Sequence, residues 1–262
     1  MSRVFVTGDT HFKEEYQKVE RLCEIAETDK DDFLIILGDH GCNYYGETKD
    51  RRMKKYLESL PISFVLIKGN HDQRPSKKAC DNVTVIDPCI SGQFLIDPNY
   101  PSILYPKMFG AYSVLGKPAF IMGGAYSVDK WYRLQMYEQG YHQYRWFPDE
   151  QLSSQEMTAC RKEIFEKTPH DGWEYIFTHT CPLKYEPYDK FLTGIDQTQV
   201  DKSMEQFFSE LESTIKYKKW FCGHYHLDRA TTDGKCTFMY NDVIMLGDTE
   251  DRKEENNESE SD

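Results

Sequence analysis

The sequence lacks the long apolar run and the leader segment that would associate it with a membrane. No apolar stretch in its 262 residues approaches the ~20 residues that a membrane-spanning helix needs. The N-terminus has no basic segment followed by an apolar one, which is the pattern of an export signal. We therefore expect a soluble, cytoplasmic protein without a membrane partner.

Closely spaced cysteine pairs are also missing. The eight cysteines are scattered along the chain, most of them among apolar residues, and none belongs to a C-x-x-C pair. A disulfide framework or a thiolate metal site usually shows regular, close spacing. The pattern therefore favours reduced thiols buried in the core of a cytosolic protein.

The chain has no excess of positive charge, because 44 acidic residues outnumber 32 Lys and Arg and the formal net charge is −12. Residues 249–262 hold seven acidic and two basic residues, so this segment carries −5 and the rest of the chain carries −7. The segment has no apolar side chain to repay the entropy of ordering, and we predict a disordered acidic tail. The negative charge of the remaining chain argues against binding of long nucleic acid, which depends on Lys and Arg at the phosphates.

Apolar residues make up 39% of the chain, which is enough for a sizeable core in one α/β domain over residues 1–248. Three apolar runs in the first third, at 4–7, 33–37 and 64–67, read as buried strands. Between them, apolar residues recur at three- and four-residue steps, which predicts amphipathic helices. This β-α-β-α-β order predicts a parallel sheet with its functional residues at the carboxyl ends of the strands.

The middle of the chain is less regular. Met108–Val114 and Pro118–Met122 predict a hairpin, since turn residues separate two strand-like runs. Residues 125–149 follow as an aromatic-rich loop with neither a helical nor a strand period. We interpret this loop as a lid or a substrate wall, and the alternative is a surface insertion packed by its own rings.

Start and turn signals return after the aromatic-rich loop. Ser153 and Glu156 form the pattern of a capping box at the start of a helix. Thr198 and Asp201 predict the start of a second helix. Three short strand-like runs between residues 229 and 246, separated by tight turns, predict an antiparallel meander that closes the domain.

Polar residues follow five of the strand-like runs at the point where each run ends. Because the carboxyl ends of parallel strands share one edge, we expect these side chains to converge. Seven oxygen and imidazole ligands exceed what one ion needs and suit two, with a carboxylate such as Asp39 bridging them at ~3.5–4 Å. Because the ligands are nitrogen and oxygen atoms without thiolate, we expect the two divalent ions to be Mn first, with Fe, Zn, Ni or Co as alternatives. The seven residues are Asp9, His11, Asp39, Asn70, His179, His224 and His226.

These strand ends resemble, in order, the motif set of the calcineurin-like metallophosphoesterases, and Gly123 to Lys130 further resembles small bacterial and phage members. The resemblance implies a four-layer α/β/β/α sandwich and two metal sites. The motifs are Asp9-x-His11, Gly38-Asp39, Gly69-Asn70-His71-Asp72, Thr178-His179 and Gly223-His224-x-His226. One implied ion is held by Asp9, His11, Asp39 and His226, and the other by Asp39, Asn70, His179 and His224.

His71 follows an implied ligand but lies outside both metal sets. We predict that it acts as the general acid toward the leaving-group oxygen, with Asp72 or another carboxylate orienting its imidazole. The two ions would polarise the phosphoryl oxygens and lower the pKa of a bridging water, so that hydroxide attacks phosphorus in line. Arg74 and Arg133 are the predicted phosphate-binding residues.

The second motif departs from that of the protein Ser/Thr phosphatases of this superfamily, because it lacks their later Asp and Arg. It continues Gly38-Asp39-His40-Gly41-Cys42-Asn43-Tyr44. We therefore predict a phosphoesterase that acts on the monoester or diester bond of a nucleotide or another small phosphorylated molecule. Two alternatives stay open. One is a phosphoprotein phosphatase with a nonstandard phosphate clamp, and the other is a binding scaffold that has lost catalysis.

Overall fold

The computed structural model describes residues 2–11, 13–191, 193–194 and 196–247, so the predicted tail at 249–262 lies outside the described residues. Most of this part of the chain is organised around one long, curled sheet. The elements in chain order are β1 (Val4–Thr7), α1 (Gln17–Ala26), β2 (Phe33–Ile36), α2 (Glu47–Ser59), β3 (Ser63–Leu66), β4 (Asp81–Ile86), β5 (Ile90–Ile96), β6 (Ile103–Pro106), β7 (Phe109–Val114), β8 (Lys117–Met122), α3 (Lys130–Glu138), α4 (Ser154–Lys167), β9 (Trp173–Thr178), α5 (Ser203–Glu212), β10 (Tyr217–Cys222), β11 (Arg229–Ala230), β12 (Cys236–Phe238) and β13 (Val243–Met245).

The first third forms the predicted β-α-β-α-β unit. β1, β2 and β3 pair in parallel, and α1 and α2 provide the two crossovers. Helix α1 buries Val19 and Cys23, and α2 buries Leu57, which are apolar positions of the predicted amphipathic patterns. Helix α2 ends at Ser59, two residues before Pro61, whose ring would clash with a continuing helix. The prediction for this region is confirmed.

The sheet contains two parallel groups of strands joined by antiparallel ones. β1, β2, β3 and β6 form the first group, and β8, β9, β10 and β12 form the second. Strands β5 and β7 lie between the groups, and β7 pairs with β8 as the predicted hairpin. The full order is β11-β12-β10-β9-β8-β7-β5-β6-β3-β2-β1-β13, with β4 on β5.

Alternate residues of each strand pack into different layers, as β1 illustrates. Val6 joins an inner core that also contains Val65 of the first parallel group and Phe177 of the second, so the two groups face each other. Phe5 points to the other side and packs in the cluster beneath α1 and α2. A third cluster lies beneath α4 and α5. The chain therefore forms the four-layer α/β/β/α sandwich that the resemblance implies.

The capping box at the start of α4 is present, with Ser153 and Glu156 bonded reciprocally. The predicted start of the next helix is wrong. Helix α5 begins at Ser203, whose backbone N–H donates to Asp201 Oδ1 at 2.9 Å. Thr198 instead belongs to a separate short turn, whose Asp196 side chain accepts from the Thr198 backbone. Asp196 and Asp201 each accept a hydrogen bond from the backbone N–H two residues later, and the helix begins after the second of these turns.

The predicted closing meander is also wrong in its last strand. β11 and β12 pair as an antiparallel hairpin, as expected, but β13 pairs with β1 at the opposite end of the sheet. β12 instead pairs in parallel with β10. The outer edge of β1 presents unpaired backbone groups, and β13 satisfies them. Pairing with a distant edge leaves no signal in a three-residue strand.

The aromatic-rich segment contains a helix that its pattern did not indicate. Helix α3 lacks an apolar face because the residue that it buries is a charged one, Arg133. Trp131, Tyr132 and Tyr137 of the same helix are exposed. The eight cysteines are all buried and free, as predicted. In the ranges described above, no helix is both long and apolar enough to cross a membrane.

Candidate metal centre

Sharp turns at the strand ends bring the predicted ligands together. Asp39, His224 and His226 adopt positive φ angles of 52°, 68° and 50°, a strained backbone region that clusters at functional sites. A Cβ atom at Gly69 would lie 2.0 Å from Asp39 Oδ1, and one at Gly223 would lie 2.3 Å from the Oδ1 of Asp9. The motif glycines therefore allow the backbone to approach the two carboxylates.

One cluster of potential ligands surrounds Asp9. Its Oδ2 lies 3.0 Å from His226 Nε2 and 3.9 Å from His11 Nε2. The two Nε2 atoms are themselves 3.0 Å apart. One carboxylate oxygen and two imidazole nitrogens thus point at the same small volume, and they form a group whose atoms lie within 4.8 Å of one another.

A second cluster surrounds His179, which is fully buried. Its Nδ1 donates to the carbonyl of Leu37 at 2.6 Å, so its Nε2 presents a lone pair when the ring is neutral. That Nε2 lies 2.9 Å from Asn70 Oδ1 and 3.5 Å from Asp39 Oδ2. Asn70 Oδ1 is also 3.1 Å from His224 Nδ1.

The chemistry of these donor atoms fits divalent cations. Carboxylate, amide and imidazole acceptors face one another at both clusters, and a cation satisfies such an arrangement. Asp39 belongs to two of the three-residue groups and Asp9 to two, so either carboxylate links neighbouring groups as a bridging ligand does. The three groups are Asp9, His11 and His226; His11, Asp39 and His71; and Asp9, Asp39 and His179. The structure thus contains His/Asp clusters that can hold metal, while the assignment of ligands to each ion stays a prediction.

At the centre, the Asp9 and Asp39 carboxylates are charged, while the neighbouring His224 imidazole is neutral. Burial raises the pKa of Asp9, but the hydrogen bond with His226 and the charge of His179 outweigh it and hold that pKa at about 2. Burial also opposes ionisation of Asp39, yet His179 and other imidazoles keep its pKa well below the usual value. Burial and the charge of His179 lower the pKa of His224 to about 3. Two buried carboxylates therefore remain ionised, and positive charge must balance them.

His71 lies at the rim of these clusters, and its backbone N–H donates to Asp39 Oδ1 at 2.7 Å. The guanidinium of Arg133 reaches its ring, with Nη2 2.8 Å from Nδ1 and also in contact with Nε2. Burial, with Arg133 as a further contributor against the opposing charge of Asp39, lowers the pKa of His71 to about 4. The imidazole is thus neutral at neutral pH in the metal-free chain.

Arg133 is held in this position from two sides. Its Nε donates to Asp129 Oδ2 at 2.7 Å, and its Nη1 donates to the carbonyl of Arg145 at 3.2 Å. The residue is only 3% exposed. The structure thus brings this predicted phosphate-binding arginine into the site.

Two other sequence-based assignments need correction. Asp72 does not orient His71, because its Oδ2 accepts from the backbone N–H of Gly69 at 2.9 Å and its Oδ1 lies 3.4 Å from His40 Nδ1. Its carboxylate therefore supports the turn beneath the site. Arg74 is likewise committed elsewhere, since it forms ion pairs with Asp149 and Glu156. Neither residue lines the cavities at the centre.

Ser127 and Glu150 also lie at the centre, and the sequence motifs did not predict them. Asn70 Nδ2 donates to Ser127 Oγ at 2.9 Å, and Ser127 Oγ donates to Glu150 Oε2 at 2.6 Å. Both partners are 1% exposed. Ser127 comes shortly after β8, which pairs in parallel with β9. The rule that functional side chains collect at the carboxyl ends of parallel strands therefore applies to Ser127 as well. Its hydroxyl is not among the Asp, Asn and His side chains that mark the strand ends as metal ligands.

Two cavities adjoin His71. The larger has a volume of about 380 Å³ and is also bordered by Asp39, Asn70, His224 and His226. The smaller, of about 180 Å³, is bordered by His11, Arg133 and Tyr144. Of the aromatic-rich segment, Tyr126 and Val128 line the larger cavity, while Trp131, Tyr137 and Tyr141 are exposed and line neither. A role of the whole segment as a substrate wall stays a prediction.

The chain is similar to several solved structures and to one protein family. No curated protein matches the chain. Solved structures similar to it include phosphopantetheinyl hydrolase from Mycobacterium tuberculosis, with 16% identity, a TM-score of 0.44 and coverage of 91% of this chain and 88% of that one. TT1561 of Thermus thermophilus shares 12% identity with a TM-score of 0.47, covering 94% and 98%. AQ665 of Aquifex aeolicus shares 12% with a TM-score of 0.39, covering 98% and 99%.

The family model described as calcineurin-like phosphoesterase matches residues 2–228, which include all five strand-end motifs. That match extends over most of the chain and over every strand of the two parallel groups except β12. The chain therefore belongs to the calcineurin-like phosphoesterase family.

Proposed function

We propose that this protein is a two-metal phosphoesterase that hydrolyses monoester or diester bonds of a nucleotide or another small phosphorylated molecule. The observation that carries the proposal is the convergence of two ionised, buried carboxylates with imidazole and amide acceptors beside a cavity of about 380 Å³. When bound, the two cations supply Lewis acidity toward the phosphoryl oxygens and a water of lowered pKa. Mn is the first candidate, with Fe, Zn, Ni or Co as alternatives.

The ligand roles follow the two clusters. Asp39 is the proposed bridge, because its Oδ2 lies 3.5 Å from His179 Nε2 and 3.8 Å from His11 Nδ1. It can therefore reach both sides of the centre. The first ion would be held by Asp9, His11, Asp39 and His226, and the second by Asp39, Asn70, His179 and His224.

Arg133 is the proposed phosphate-binding residue. Its guanidinium is buried and oriented by Asp129, and its Nη2 projects to His71 at the boundary of the two cavities. Guanidinium groups bind phosphoryl oxygens through paired, charge-assisted hydrogen bonds. A phosphate that binds Arg133 would draw Nη2 away from the imidazole.

His71 is the proposed general acid, and the position of Arg133 sets a requirement for this role. The imidazole has to gain a proton before it can donate one to the leaving-group oxygen. An incoming phosphate brings negative charge beside the ring and occupies the neighbouring guanidinium. Both changes favour the imidazolium form, so substrate binding would prepare the acid.

The proposed setting is the cytoplasm, with a small molecule as substrate. The eight buried, free thiols support a reducing compartment. The net charge of −12 supports an anionic surface that disfavours long nucleic acid. A compact anionic ester would be attracted only at the metal centre, where the cations are bound.

The direct test is an assay of Mn-loaded protein on p-nitrophenyl phosphate and bis-p-nitrophenyl phosphate, with chelator-treated protein as the blank. We expect metal-dependent hydrolysis of at least one ester, and its loss in Asp39→Asn. Asp171→Asn is the matched control, because the Asp171 side chain is 98% exposed and lies before β9, whereas His179 follows the other end of that strand. Protein that binds two ions of each candidate metal and hydrolyses neither ester would support the non-catalytic scaffold instead.

A further inference from the structure

The larger cavity contains a carboxyl group that the proposed hydrolysis does not use. Glu205 lies in the first turn of α5, is 4% exposed and lines this cavity. Its Oε1 accepts a hydrogen bond from Thr180 Oγ1 at 2.7 Å. Among the described residues, its Oε2 has no hydrogen-bond partner. One buried acceptor is therefore left unsatisfied at the edge of the cavity.

An unsatisfied buried carboxyl oxygen is costly, and proteins rarely keep one without a reason. Glu186, which lines the same cavity, is already paired with Lys202 at 2.8 Å. Burial raises the pKa of Glu205 to about 7, with hydrogen bonding from Thr180 opposing it. A ligand that donates a hydrogen bond to Oε2 would remove this cost.

The walls of the cavity restrict what such a ligand can be. The rings of Phe191 and Tyr225 are nearly parallel, with an interplanar angle of 10° and centroids 6.3 Å apart. Both rings border the cavity together with Tyr126, Val128 and Val200. Flat aromatic walls favour a flat, apolar ring system, because stacking buries its faces. A ligand that uses both features combines a planar ring with an N–H donor.

We propose that this cavity binds the base of a nucleotide, with an N–H group of the base donating to Glu205 Oε2 and the ring lying along the wall of Phe191 and Tyr225. The inference rests on the proposed function, since the phosphate of the same nucleotide would lie at the metal centre. Asn70 and His224 border both the cavity and the ligand clusters, so one molecule can reach both. An aliphatic ammonium group could also donate to Oε2, but it offers no face for the rings.

The first test measures binding without metal or hydrolysis. Guanosine, adenosine and n-propylamine, which is a primary ammonium ion at neutral pH, are titrated into metal-free protein by calorimetry or ligand-detected NMR. We expect a nucleoside to bind, and Glu205→Met to raise its Kd about tenfold or more, as for a lost hydrogen bond to a carboxyl group. Glu212→Met is the matched control, because Glu212 lies on the same helix, pairs with Lys184 at 2.8 Å and does not line the cavity.

A second variant keeps the test decisive if Glu205→Met fails to fold. Phe191→Leu removes one ring of the wall without changing the carboxyl group. It should raise the nucleoside Kd by about fivefold or more, as for a lost stacking partner. Melting temperatures of all variants are recorded, so that only folded protein is compared.

The outcomes separate this inference from the proposed function. Nucleoside binding that Glu205→Met weakens, in a protein without any esterase activity, supports the base site and refutes the hydrolysis. Hydrolysis of p-nitrophenyl phosphate without nucleoside binding, or with binding that Glu205→Met leaves unchanged, overturns the base site alone. n-Propylamine binding more tightly than either nucleoside also overturns it, in favour of an ammonium ligand.

Discussion

The amide nitrogen of Asn70 donates a hydrogen bond to the hydroxyl of Ser127 at 2.9 Å, and this bond decides which way the Asn70 side chain faces. With Nδ2 engaged, Oδ1 is presented to His179 and His224. The Ser127 hydroxyl in turn donates to Glu150. The Asn70 amide has two orientations of nearly equal shape. The bond to Ser127 fixes the one in which its oxygen faces the predicted metal.

Replacement of Ser127 by Ala should therefore weaken metal binding without removing any ligand. Loss of an outer partner of this kind costs ~10- to 100-fold in metal affinity. Competition with a fluorescent chelator measures the Kd of Mn for Ser127→Ala and for a control, Ser59→Ala, whose hydroxyl donates to the carbonyl of Tyr56 within α2. Equal affinities in the two variants would mean that the Asn70 rotamer is held by other contacts.

Protein loaded with excess Mn should contain two ions per chain. The donor atoms form three overlapping groups that share the two carboxylates, which is more than one ion requires. Mass spectrometry of the native protein or elemental analysis gives the count. We expect Asp39→Asn to lower it, since the proposed bridge contacts both sides. Saturation of folded wild-type protein at a single ion would contradict the two-metal assignment.

His71→Ala should lower kcat by ~100-fold or more, the usual span for a lost general acid, while the metal content stays at the wild-type level. Elemental analysis and steady-state kinetics on the same preparation test both halves of this expectation. The alternative is specific, because His71 lies in a group with His11 and Asp39 that could itself hold an ion. If the variant loses metal, His71 is a ligand and the acid lies elsewhere.

Arg133→Met should raise KM for a phosphate ester by about tenfold, because a buried, charge-assisted contact with the phosphoryl group is lost. Arg74→Met is the comparison, since that arginine is paired with Asp149 and Glu156 away from the cavities. Steady-state kinetics on one ester distinguishes the two. A larger loss for Arg74→Met than for Arg133→Met would reverse the assignment.

Glu205 should make the protein less stable as pH rises from about 4.5 to 7. Burial raises the pKa of this carboxyl to about 7 in the folded chain from its ordinary 4.5. In that interval the folded state binds more protons than the unfolded one, so the free energy of unfolding falls with rising pH and levels off above pH 7. At ~1.4 kcal/mol per pKa unit, the change amounts to about 3 kcal/mol at most.

The measurement is urea unfolding of wild-type and Glu205→Met protein between pH 4.5 and 8, in the absence of metal. The difference between the two free energies isolates Glu205 from the other titrating groups. We expect Glu205→Met to gain stability relative to the wild type as pH increases. A difference that stays constant over the interval would mean that Glu205 ionises at its ordinary pKa.

The sequence was sufficient to predict those parts of the fold that depend on local periodicity. The β-α-β-α-β unit and the hairpin follow from the spacing of apolar residues and from turn chemistry. The convergence of Asp9, Asp39 and His179 follows from one topological rule about parallel strands. The spacing of apolar residues does not predict helix α3, because Arg133 occupies its buried side and no apolar stripe marks the helix.

Side-chain direction could not be predicted in the same way. His71 and Asp72 are adjacent in the chain, but the turn sends one toward the centre and the other toward His40. Which neighbour faces inward depends on backbone angles that the motif does not encode. Ser127 and Glu150 act through Asn70, and their importance appears only once the Asn70 rotamer is known.

The position of β13 has a consequence for the order in which the protein is built. Between Phe238 of β12 and Val243 of β13, the chain passes from one end of the sheet to the other, and the ring of Tyr240 stacks on His226 on the way. Asp9 and His226 are 217 positions apart, and the strand that covers β1 comes later still. During synthesis Asp9 is therefore made long before His226, so the full ligand set predicted for the first ion exists only once nearly the whole described chain has been made.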